Sequence, residues 1–320
     1  MPIHAPVGPG GPVEPELPDP LPPTLPPAAP FVTWTPPGGQ TRILSDVGSA
    51  MLGGVGEPRA ILGLDMPPQE EVDTPLAMGG EMANFRRWAA RPFVLPIVIH
   101  ADTLEELEAE RRALIRDFNP ALGDGVFTIA YPDGSRRSLT ARYSEGLNDP
   151  EHGRMGGGRY YDSYLVTMKA RDPFAYGDEL SINFDVGPGK DFYPLPFDIS
   201  PSITTGDSVV TIDGEVEVWP VWELVGPMTT ATLRNRDTGQ TLELTPNLTQ
   251  GQVLIVRTDP QTPPAEQFLR GTTNVWGQVA TDFPVFWALR PGSNNVTVLA
   301  SGTGEQSRVT LRYRPRYLSV

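Results

Sequence analysis

Only one stretch of this 320-residue chain carries a convincing helical period, and it is short: DTLEELEAERRALIRDFNP, Asp102 to Pro120. Thr103 is a good N-cap, and Glu106 follows at capping-box spacing. Leu104, Leu107, Leu114, Ile115 and Phe118 recur at helical spacing and read as one core-facing stripe. Glu105, Glu106, Glu108 and Glu110 crowd the start while Arg111, Arg112 and Arg116 crowd the end, an order that complements the helix dipole. Pro120 stops the helix, because the residue before a proline avoids the α region.

Everything near this helix reads as strand. RPFVLPIVIHA (Arg91–Ala101) is apolar, and its Pro96 points to an edge or a bulge. GVFTIAYPDGSRRSLTARYSEGL is two strands about a Pro-Asp-Gly turn, and RYYDSYLVTMKA is another long strand. One helix on an antiparallel sheet or barrel makes an α+β unit. From Leu180 onward the helical period is absent. Short strands such as SVVTIDG, TTATLRNRD, QVLIVRT and NNVTVLAS are separated by Asp213-Gly214, Thr238-Gly239 and Pro291-Gly292 turns. That pattern predicts an all-β sandwich or jelly roll. The stretch RDPFAYG, Arg171 to Gly177, falls where one pattern gives way to the other and reads as a seam, although its Arg, Asp and Tyr also invite an active-site reading. The expected organisation is an arm over 1–30, an α+β unit over 31–178 and a β-sandwich over 179–320.

The arm holds 12 of the 37 prolines. Proline fixes φ and removes a backbone donor, so the segment is an extended, polyproline-prone strap, expected to lie along a neighbouring subunit. Between positions 46 and 90, MLGGVGEPRAILGLDMPPQEE reads as a loop-rich insertion, a frequent form of binding element.

The sequence is poor in chemistry. There is no cysteine, so disulfides and thiolate sites are excluded. The formal net charge of −14 repels phosphate and argues against nucleic-acid recognition. No apolar run approaches the ~20 residues that span a bilayer, so no membrane insertion is expected. The start, MPIHAPVGPGG, lacks the basic and apolar regions of a signal peptide. Of the three histidines, His4 lies in the arm, His100 precedes Asp102 without a third ligand at recognisable spacing, and His152 sits in a glycine-rich stretch. The clusters LGGVGEP and MGGGR lack a P-loop lysine, and no serine sits in G-x-S-x-G. Asn247 and Asn295 head sequon triplets and read as turn residues. No catalytic residue, metal ligand or cofactor is expected. Trp222 and Trp287 lie in apolar runs and read as core, whereas Trp276 has polar neighbours and is the candidate contact for a sugar.

RPFVLPIVIHADTLEELEAERRALIRDFNP, GVFTIAYPDGSRRSLTARY and YYDSYLVTMKARDPFAYG together resemble the N-terminal domain of siphophage distal tail proteins. VWPVWELVGPMTTATLRNRDTGQTLELTPNLTQGQVLIVRTDP and FWALRPGSNNVTV resemble the galectin-like C-terminal domain of the same family. The resemblance covers about residues 31 to 320; the proline arm and the 46–90 insertion depart from the family pattern. It implies a non-enzymatic virion protein, assembled in the host cytoplasm and sited at the tail tip. Six copies would close a ring joining the tail tube to baseplate hub proteins. The tape measure protein would be a further partner, and DNA would pass through the channel. An alternative is a carbohydrate-binding module that attaches the tip to a host surface glycan.

Overall fold

The computed structural model describes residues 31–44, 50–52, 61–75, 78–79, 81–154, 158–186, 204–279 and 284–320. The arm, and with it the expectation that it lies along a neighbouring subunit, falls outside the described residues.

The first unit is one antiparallel sheet with a helix on it. Its main path runs Arg42–Ile43, Phe31–Thr35, Gly125–Ala130, Arg136–Glu145, Tyr160–Ala170, Arg91–Ala101, Ala50–Leu52. Alternation drives it: along Arg91–Ala101 every second residue from Arg91 to Ile99 is buried. Pro92 and Pro96 share the parity of Val94, whose backbone bonds Leu62 on the side away from Tyr160–Ala170. Among the described residues, pairing on that side is confined to the Leu62 bridge and to Ile97–Ile99, so the missing N–H of Pro96 breaks no ladder bond there. The Pro-Asp-Gly turn forms as expected. Tyr131 N–H donates to Ser135 O at 2.9 Å, Asp133 accepts from the Ser135 amide at 2.8 Å, and Gly134 takes φ +87°.

The helix spans Leu104–Asp117 with a complete capping box between Thr103 and Glu106. Leu107, Leu114 and Phe118 are buried against the sheet. Leu104 and Ile115 are not part of that face, being 59 % and 48 % exposed. The stripe that meets the sheet is 107–111–114–118, and its second position is a charged residue, Arg111. Ile115 lies one residue, about 100°, off that line, and Leu104 is the first helical residue, in the turn that precedes the buried stripe. Trp34 stacks on Phe118 with ring centroids 5.1 Å apart and donates its Nε1–H to Asp117 O at 2.9 Å, pinning the C-terminal end of the helix.

Within the 46–90 region, residues 69–88 form a hairpin rather than loop: Gln69–Pro75 pairs with Glu81–Trp88 as a two-stranded sheet of its own. Its register places Glu70 opposite Arg87 and Glu71 opposite Arg86, and both pairs close as ion pairs.

The second unit is a sandwich of two antiparallel sheets. One runs Leu180–Asp185, Arg308–Tyr313, Val221–Val225, Val253–Arg257, Phe268–Arg270, Thr273–Asn274; the other runs Thr204–Ile212, Gly292–Ser301, Thr230–Asn235, Thr241–Leu244. Their inward residues share one core in which Trp222 and Trp287 meet edge to face at 5.7 Å. Two one-turn helices, Pro264–Gln267 and Trp276–Val279, interrupt the strands. Asn247 has φ +44°, as a turn residue would; Asn295 instead lies in a strand, with its amide and side chain held by Asp237.

Candidate functional site

The seam stretch Arg171–Gly177 is built into the protein on every side. Ala175–Tyr176 forms a short strand that pairs with Arg316–Tyr317 from the far end of the chain, while Tyr176 also pairs with Ser138 of the first sheet. The chain therefore crosses the seam twice. Asp172 accepts from the Tyr176 hydroxyl and from the Phe174 amide, the latter at 3.2 Å. The Arg316 guanidinium lies 4.2 Å from the centroid of Phe174 and 5.8 Å from that of Tyr176, and Arg314 lies 5.6 Å from the Tyr176 ring. Arg137 covers Tyr317 at 3.4 Å. Arg314 also donates to Gly177 O and Ser138 Oγ, both at 3.1 Å. Burial and the adjacent Asp172 carboxylate push the Tyr176 phenol far above its ordinary pKa, so it stays a protonated donor.

Beyond this clasp the C-terminal end docks on the first unit. Arg91, fully buried, donates to Leu318 O and to Asp65 O; burial lowers its pKa to about 10, which still leaves it charged at neutral pH. Tyr131 donates to Val320 O at 2.7 Å, and the Val320 amide donates to Leu64 O at 3.0 Å. Beside the clasp, on the outer face of the six-stranded sheet, lies a cavity of about 370 Å³ whose lining includes Trp219, Glu223, Arg257 and Arg312. Its arginines are committed: Arg312 pairs with Glu223, and Arg257 donates to Glu266 O at 3.0 Å. For these arginines this is the chemistry of a fastening, and Glu179 and Asp259 complete the charged lining.

The most concentrated buried charge sits under the helix. Asp162, with no exposed surface, accepts from Arg111 Nε at 2.9 Å and from Arg111 Nη2, and its other oxygen meets His152 Nδ1. The Tyr164 hydroxyl is 3.2 Å from Arg111 Nε. The hydrogen bond to Asp162 raises the Arg111 pKa, and burial raises that of Tyr164. The carboxylate is thus satisfied by a permanent cation, a structural arrangement that ties helix to sheet. His152, in a glycine-rich stretch of the sequence, belongs to the short strand Glu151–Arg154, where its largely exposed ring meets Asp162 across the pairing. His100 and Asp102 do not converge on a site: Asp102 pairs with Arg159 at 2.8 Å. Among the described residues no group of three or more metal-ligating side chains comes together. Trp276 is partly buried, its ring edge-on to Phe268 at 4.9 Å and near Phe286 at 6.2 Å. It is wedged against the sandwich core.

The surface is lopsided. Of the fifteen large apolar side chains exposed among the described residues, twelve belong to residues 31–178 and three, Leu180, Val209 and Val285, to the sandwich. They group on the helix side of the first unit (Ile43, Leu104, Ile115, Leu122) and on and near the hairpin (Met66, Val72, Met78, Phe85).

Residues 213–317 match the family model described as siphovirus-type tail component, C-terminal domain. The fold as a whole is similar to the crystal structure of the Dit protein of phage SPP1, described as a paradigm of hub adsorption apparatus in phages infecting Gram-positive hosts. The TM-score is 0.61 at 15 % identity, covering 89 % of this chain and 98 % of that one. The chain has a Dit-like fold and carries a siphovirus-type tail component domain. A weaker similarity, TM-score 0.46 at 10 % identity over 89 % of this chain and 98 % of the other, links it to the phage P2 baseplate in its activated conformation with Ca. No curated protein matches by sequence. In this Dit-like chain the matched segment ends at Tyr317, inside the clasp, so the tail-component domain includes the strand that fastens it to the first unit.

Proposed function

We propose that this protein is a structural hub at the distal end of a long, non-contractile phage tail. Its first unit, residues 31–178, closes a ring of six copies through its exposed apolar surfaces. Its galectin-like sandwich, residues 179–320, faces outward toward baseplate or tip proteins. The observation that carries this reading is the asymmetry of the surface: among the described residues, twelve of fifteen exposed large apolar side chains lie on one unit. Exposed apolar groups concentrated on one unit mark it as the interacting one, and identical head-to-tail contacts close into a ring when their rotation permits. The clasp at Asp172–Tyr176 and Arg314–Tyr317 supports the same role, because a joint that transmits position must hold its two units in fixed relation. Tail tube and tape measure proteins are the expected neighbours on the ring axis. Light scattering on the purified protein tests the ring: a sharp hexameric mass is expected, and a monomer at all concentrations, unaltered by Met66→Asp or Phe85→Asp, would refute self-assembly through this unit.

A further inference from the structure

At the C-terminal end of the helix the first unit opens a groove of about 510 Å³, lined by Arg112, Ile115, Arg116, Pro120, Tyr143 and Leu147. Two features set it apart. Arg112 and Arg116, one helical turn apart, make no ion pair and no side-chain hydrogen bond among the described residues, whereas the neighbouring Arg111 and Arg42 are fully engaged. Between them Ile115 is 48 % exposed. The groove thus combines apolar walls, an aromatic ring, a proline and two unpaired cations, which is a surface chemistry suited to an acidic polyproline segment.

The chain carries such a segment. Residues 1–30 contain no lysine or arginine, and their only carboxylates, Glu14, Glu16 and Asp19, fall together within VEPELPDPLPP. Reach is adequate. Trp34 stacks on Phe118, which also lines the groove. Phe31 lies three strand residues earlier, about 10 Å away. From Phe31 back to Asp19 a polyproline helix spans roughly 37 Å. One reversal of direction, for which Thr24-Leu25 and Ala28-Ala29 offer adjacent non-proline residues between Leu17 and Phe31, brings the acidic cluster onto the groove of its own subunit.

We propose that the Glu14–Asp19 portion of the arm docks in the Arg112–Ile115–Arg116 groove of the same chain. Docked there, it covers Ile115 and neutralises two arginines in the free subunit. The effective concentration of a tethered segment makes this association favourable even when the contact itself is modest. This inference stands apart from the hub reading and places the arm differently from the expectation drawn from composition alone.

The full-length protein has no cysteine, so spin labels can be placed cleanly at Leu17→Cys and Asn148→Cys. Pulsed dipolar spectroscopy on doubly labelled chains diluted with excess unlabelled protein is expected to show one narrow short-distance population. R112E/R116E should disperse it, and adding E14R/E16R/D19R to that variant should restore it. In parallel, an endoprotease specific for glutamate should cut Glu16–Leu17 faster in R112E/R116E than in the parent, by on the order of tenfold, since two exposed ion pairs become repulsive. A broad distribution in the undisturbed protein would overturn the proposal, as would one indifferent to charge reversal. A short distance that vanishes on dilution would assign the arm to a second copy and overturn the same-chain placement.

Discussion

Leu114 and Ile115 are adjacent, similar in size and opposite in fate, and their truncation tests the rotation of the helix on its sheet. Leu114 is fully buried among the core residues of the first unit. Leu114→Ala removes buried carbon and leaves a space that the flanking sheet cannot fully close, at a cost of about 3 kcal/mol. For a cooperative unit of about 150 residues, each kcal/mol lowers Tm by roughly 2–4 °C, so the expected loss is about 6–12 °C. Ile115 is half exposed, and alanine is the better helix former, so Ile115→Ala is expected to stay within about 0.5 kcal/mol of the parent. Circular dichroism melts and urea titrations of the two variants, read on the transition of the first unit, give the comparison. Comparable losses would mean the helix is turned by about 100°, and the 107–111–114–118 stripe would be wrong.

Arg111→Ala strips the buried Asp162 of its permanent counter-charge and should cost about 3–5 kcal/mol in urea titration; R111M/D162L should recover much of it, and failure to do so would show that the pair does more than hold helix to sheet. Arg316→Ala removes the cation over Phe174 and Tyr176 and should cost about 2–3 kcal/mol. Its signature is faster hydrogen exchange at Tyr317 and Val320, and unchanged exchange there would deny the clasp. Trp276→Ala should lower the melting temperature of the sandwich without changing a glycan-array profile; loss of a specific sugar signal would instead favour the carbohydrate reading.

Much of this architecture is legible in the residues because it rests on local rules. The capping box, the Pro-Asp-Gly hairpin and the alternation of Val221–Val225 follow from backbone and solvent alone. Two misreadings have different causes. Arg111 holds a core-facing position because Asp162, 51 residues away, neutralises it there; no helical pattern announces that. The Gln69–Trp88 hairpin looks like loop because its strands are charged, but the opposed Glu70–Arg87 and Glu71–Arg86 pairs were a readable signal. Trp276 looks solvated among polar neighbours; Phe268 and Phe286, which receive its ring, are remote enough in sequence to be invisible. The change of pattern at RDPFAYG is visible in the sequence, but the return of Arg316–Tyr317 to pair with Ala175–Tyr176 is a long-range pairing that strand propensity does not encode.

The most direct measurement is electron microscopy of intact tails carrying a gold-labelled antibody against the sandwich, paired with class averages of the purified protein. The account predicts gold at the distal tip and six-fold rings with the first unit innermost. Gold along the tail shaft or on the head, or particles that never close, would contradict it.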